Sequence, residues 1–117
     1  METVEIVSEK DISLESLRIL IAPHWTVSKG SNPDRLVIEE SGSRVYIVHR
    51  ELDSGEVDTK TIYLNYSRAN LVKEIIKVIG DDPALMIDND FHTILRGDQF
   101  VARLREDGNW NWQVPDK

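Results

Sequence analysis

Between Arg35 and Tyr66 the chain reads as three extended segments separated by two short breaks, and this run limits the fold more than any other stretch. In Arg44–Leu52, Val45, Ile47 and His49 alternate with Tyr46, Val48 and Arg50, the period of a strand with one face buried. Arg35–Glu40 sets Leu36 and Ile38 against Val37, and Thr59–Tyr66 sets Ile62 and Leu64 against Thr61 and Tyr63. The breaks, Ser41–Gly42–Ser43 and Asp53–Ser54–Gly55–Glu56, are turn sequences. A parallel partner requires a crossover of a dozen or more residues, so connections this short make the segments antiparallel neighbours. Trp25–Val27, across the turn Gly30–Ser31–Asn32–Pro33–Asp34, adds a further strand to this meander.

Helical periods flank the run. Leu14, Leu17, Leu20 and Ile21 form an apolar stripe in Ser13–Ala22, with Asp11 or Ser13 as the cap and Pro23 as the stop. Beyond the meander, Leu71, Val72, Ile75, Ile76 and Ile79 recur at helical spacing, with Lys73, Glu74 and Lys77 outside, Ser67 as the expected cap and Gly80 at the expected C′ position. Thr3–Val7 is a short, weakly alternating strand with Val4 and Ile6 on one face. Ala84–Asp88 and His92–Leu95 read as a small hairpin around the turn pair Asn89–Asp90. Gly97 or Asp98 then opens a third helix whose inner face is Phe100, Val101 and Leu104. Trp110–Val114 alternates like a last short strand. Strands that cluster, rather than alternating with helices, indicate an α+β fold. The expectation is one domain over residues 1–117, an antiparallel β-meander of about four strands covered by two to three helices, with a small C-terminal hairpin-plus-helix unit.

Composition excludes several functions. The 117 residues include no cysteine, which removes disulfides, thiolate metal sites and cysteine nucleophiles. The net charge is −7, with Asp+Glu 21 against Lys+Arg 14, and this opposes nucleic-acid binding, which depends on cations that neutralise phosphates. The longest apolar run, Ile19–Leu20–Ile21–Ala22, is far short of the roughly 18 residues needed to cross a bilayer, so no membrane partner is expected. The N-terminal METVEIVSEKD is acidic where a secretory leader is basic and then apolar, which points to the cytoplasm.

Two stretches are candidates for chemistry or binding. If Asp88-Asn89-Asp90-Phe91-His92 is extended, Asp88, Asp90 and His92 share a face that suits a divalent cation or acid/base work, with Asp81, Asp82 and Asp98 near in sequence. Asn-Asp is equally a turn pair, and a turn there destroys the alternation. The stretch also lacks the spacing and terminal glutamate of a calcium loop. Trp110 and Trp112, two residues apart, project from one side of an extended segment, either as an exposed anchor for a partner or as a tie for the chain end. The acidic residues of the meander, Glu39, Glu40, Glu51, Asp53, Glu56 and Asp58, gather near hairpin ends beside Arg44, Arg50 and Lys60. They read as cross-strand ion pairs or as a rim that meets a basic partner.

No HExxH, GxSxG, Walker or GxGxxG motif is present, so no catalytic residue and no cofactor is nominated. Small size, acidity and missing catalytic motifs point to a protein-binding module, most concretely an inhibitor or immunity-type protein that neutralises a basic partner such as a toxin. The partner contacts are assigned to Asp88, Asp90, Asp98, Trp110 and Trp112. The alternatives are an enzyme centred on Asp88, Asp90 and His92, and a homo-oligomeric structural or regulatory subunit, for instance a homodimer, joined through a sheet edge.

Overall fold

A computed structural model describes residues 1–28 and 35–112. Its strands are β1 (Glu2–Ser8), β2 (Val27–Ser28), β3 (Arg35–Glu40), β4 (Ser43–Glu51), β5 (Val57–Tyr66), β6 (Leu85–Asp88) and β7 (Ile94–Arg96). Three helices accompany them, α1 (Leu14–Ile21), α2 (Ala69–Ile79) and α3 (Gly97–Glu106). All seven strands join one antiparallel sheet in the order β2-β3-β4-β5-β1-β6-β7. The expected four-strand meander is therefore its β2–β5 part. The expected separate C-terminal hairpin is the other part, and β1 lies between the two.

Local chemistry explains most of the connections. Ser41 and Gly42 both have positive φ, 48° and 82°, the pair of conformations that a two-residue type I′ hairpin demands. Ser13 caps α1, its Oγ accepting from Ser16 N at 3.2 Å. Ser67 does not cap α2. Arg68 occupies that position without a side-chain bond, and Ser67 Oγ instead accepts from Arg44 N at 2.9 Å, where β4 begins. Gly80 follows α2 as expected but with φ −97°, so left-handed geometry is not its role. A Cβ there would lie 2.8 Å from Ile76 O and 2.9 Å from Ile87 Cδ1, so glycine is required by close packing. Residues 110–112 form no strand, and the rest of the expected Trp110–Val114 strand, like the turn Gly30–Asp34, lies outside the described residues.

One face of the sheet is covered. Val4, Ile6, Leu36, Ile38, Val45, Ile47, Ile62, Leu64, Tyr66 and Ile87 point to it and form a single core with Leu17 and Ile21 of α1, the apolar stripe of α2, and Phe100, Val101 and Leu104 of α3. Leu20 does not belong to this core. It is 49% exposed, because the buried face of α1 is narrower than its apolar spacing suggests. Among the described residues no helix covers the opposite face. There Thr3 Oγ1 donates to Asn65 Oδ1 at 2.7 Å, Arg35 lies over the Tyr46 ring at 4.9 Å, and Arg44 pairs with its cross-strand partner Glu39 at 2.9 Å. These are the solvated cross-strand pairs expected of the meander.

Candidate functional site

The two tryptophans do share a side, and that side is the core. Trp110 is 5% exposed and Trp112 0%, packed edge-on to each other at 6.2 Å between centroids. Phe100 stands 5.4 Å from Trp110 and 5.7 Å from Trp112, and Tyr66 5.8 Å from Trp112. Arg103 covers the Trp110 ring at 3.8 Å, and Lys73 Nζ donates to Trp110 O. Burial pushes the Lys73 ammonium below its ordinary value. Trp110 and Trp112 thus cannot serve as surface anchors. They tie the C-terminal segment to α2, α3 and β5, because two large rings gain more by joining the core than by remaining in water.

The aspartate stretch does not converge. Asp90 and His92 have φ 64° and 70°, which breaks the extended alternation that would have put Asp88, Asp90 and His92 on one face. Asp88 Oδ1 accepts from Asp90 N at 2.8 Å, a local turn bond, and Asp90 is exposed at the hairpin tip. Asp98 is gripped by Arg96, Nε to Oδ1 at 2.6 Å and Nη2 to Oδ2 at 2.9 Å, which holds its carboxyl below the usual range. Among the described residues no group of three or more histidine, aspartate or glutamate side chains is placed to hold a metal ion. Nor does the β7 edge favour augmentation, since that strand is only three residues long.

Asn89, read from sequence as a simple turn residue, does more than turn the chain. It is fully buried, its Oδ1 accepting from Phe91 N at 2.8 Å and Thr93 N at 3.1 Å, while Nδ2 donates to Trp112 O at 3.2 Å. One side chain thus closes the β6–β7 hairpin and fastens it to the tryptophan segment. Asn89→Ala leaves these backbone groups without their partner and is expected to destabilise the fold by about 2 kcal/mol, measured by urea unfolding.

What the topology does bring together is a set of acidic connections at one end of the sheet. Ser8 of β1 lies opposite Leu85 of β6, and Glu9 N donates to Ala84 O at 3.4 Å, so the β1–α1 and α2–β6 connections are adjacent. The β4–β5 hairpin reaches the same end. Its register slips between His49 and Arg50, and the β5 segment freed by the slip binds the β1–α1 connection. There Ile12 N donates to Thr59 O at 2.7 Å, and Thr59 Oγ1 donates to Asp11 Oδ1 at 2.7 Å. His49 Nε2 is 2.6 Å from Ile12 O. A carbonyl only accepts, so this nitrogen carries the proton.

The first connection supplies Glu9 and Asp11, and the third supplies Asp81 and Asp82. Between them the hairpin supplies Glu51, Asp53, Glu56 and Asp58, against the cations Lys10, Arg50 and Lys60. Asp81 meets Arg105 at 3.4 Å, whereas Asp53 and Glu56 are exposed and in no ion pair among the described residues. Lys60 N donates to Asp58 Oδ1 at 3.0 Å, and this amide bond, with the Thr61 hydroxyl, holds the Asp58 carboxyl below the usual range. Depressed values at Asp58 and Asp98 favour the fold above the unfolded carboxylate range, and that contribution is lost as pH falls through the folded values.

Among the described residues no helix is long and apolar enough to cross a membrane. No family model matches the chain, and no curated protein or solved structure matches it.

Proposed function

We propose that the chain is a cytoplasmic protein-binding module that receives a basic partner at the acidic end of its sheet. The observation that carries this reading is the convergence of three acidic connections on one end of the sheet, with Asp53 and Glu56 exposed at the hairpin tip and in no ion pair among the described residues. A patch with an excess of carboxylates, on a chain of net charge −7, steers a basic protein into contact and raises its association rate. An immunity-type inhibitor that neutralises a basic toxin is the specific form of this proposal, and chain size and charge support it.

The partner surface in this reading is the set of connections around the Ser8 end of β1. Asp88 and Asp90 lie along β6 and at the other end, and Asp98 is occupied by Arg96. The test is retention of basic proteins on the immobilised chain. A partner with isoelectric point above about 9 is expected to bind, to elute as salt shortens the screening length to a few ångströms, and to be lost from Asp53→Lys/Glu56→Lys. Retention unchanged by that double reversal, or by salt, overturns the proposal.

A further inference from the structure

The acidic end also contains a cleft. It measures about 410 Å³, within the 300–1,000 Å³ range of ligand pockets, and it lies between α1, the end of α2 and the adjoining strands β1, β5 and β6. Its floor is Ile6 and Ile62 from the sheet, Leu17 of α1, Ile79 at the end of α2 and Leu85 at the start of β6. Asp11 and Asp82 stand on the rim, one from each flanking acidic connection, with Lys10 as the lining cation. Ser13, the cap of α1, and Ser16, in its first turn, place small side chains where larger ones would close the gap, and Leu20 stands at the mouth, half exposed to water. Ile6, Ile62, Leu17 and Ile79 are themselves nearly buried, so the apolar surface open to a ligand is that of Leu20 and Leu85, beside the acidic connections.

We propose that this cleft is the anchor pocket for a basic polypeptide segment. One apolar side chain of the partner enters it while the lysines or arginines that flank that residue meet Asp11, Asp82 and the carboxylates of the β4–β5 hairpin. This rests on the reading of the acidic end as the partner surface and supplies what charge alone lacks. Coulomb attraction accelerates encounter and tolerates many sequences, whereas an apolar side chain desolvated in a pocket selects one register of the partner. The charge of the rim and its surroundings argues for this occupant. A free fatty acid would bring a carboxylate up to Asp11 and Asp82 with Lys10 as the single lining cation to offset them, and a neutral apolar ligand would leave the rim charges unanswered. A basic segment satisfies both floor and rim.

Fluorescence anisotropy with two labelled pentapeptides tests it. In one, a leucine is flanked on each side by two lysines; in the other, a serine takes the place of the leucine. At low ionic strength the leucine peptide is expected to bind at least about tenfold more tightly. Ser16→Trp, which fills the cleft from an exposed position, is expected to erase that margin and leave the serine peptide unaffected. Leu20→Ser, also exposed, removes part of the mouth without burdening the core and is expected to reduce the margin. Equal affinities for the two peptides, or a margin that survives both variants, overturns the pocket. If Asp53→Lys/Glu56→Lys still weakens both peptides in that case, the acidic end remains a binding surface without a pocket. If neither peptide binds, both readings fall together.

Discussion

Trp112→Ala is expected to lower the free energy of unfolding by about 3–5 kcal/mol, the largest effect of any single truncation in this fold. The indole is fully buried against Tyr66, Phe100 and Trp110, so its removal leaves a cavity where three other rings meet. The damage spreads, because the Trp112 carbonyl accepts from Asn89, and the neighbouring Trp110 carbonyl accepts from Lys73. Loosening the segment therefore unfastens the β6–β7 hairpin and α2 together. Urea unfolding followed by far-ultraviolet circular dichroism measures the loss. A change below about 1 kcal/mol would show that the C-terminal segment does not complete the core.

Gly97→Ala is the second large effect, expected at about 3 kcal/mol. The methyl group would stand 2.3 Å from Gly80 O and 2.5 Å from Asp82 O, with Leu85 Cβ at 3.1 Å. Both close atoms are backbone, so no rotamer change relieves the contact. Either α3 backs away from β6 or the 80–82 connection moves. Gly108→Ala is the control, since a Cβ there meets nothing within 4 Å, and its effect is expected to stay within about 0.5 kcal/mol. The same pair of variants reports on the cleft. Asp82, Ala84 and Leu85 line it, so Gly97→Ala disturbs one wall and Gly108→Ala does not.

Alternation and turn chemistry made β3, β4 and β5 legible, and the 3.6-residue period of Leu71–Ile79 made α2 legible, because each of these signals is local. What escaped was settled by distant residues. Ser67 carries the sequence signature of a cap, but the Arg44 amide competes for its hydroxyl. The spacing of Trp110 and Trp112 placed them on one side, and only the positions of Tyr66 and Phe100 decide that this side faces inward. The partner residues expected from the sequence, Asp88, Asp90, Asp98, Trp110 and Trp112, lie near one another in the chain. Yet Asp88 and Asp90 serve a turn, while Asp11, Asp53 and Asp82, far apart in the chain, reach a common end through strand order. Local pattern assigned Val4 and Ile6 correctly to the inner face of β1 but contained nothing about which strands would flank it.

That flanking position bears on the order of assembly. The hairpins β3–β4, β4–β5 and β6–β7 each close over a few residues. By contrast, β1 places Glu2 opposite Tyr66 and Ser8 opposite Leu85, so its loops close over most of the domain. Closure over such distances costs more chain entropy than closure of the hairpins, so its docking is expected to come late in folding. Without β1, β5 and β6 would each present an unpaired edge, and the sheet would divide into two part-sheets open to pairing with other chains. The N-terminal strand thus acts as a latch: when it inserts, two vulnerable edges disappear at once and the acidic connections come to lie side by side.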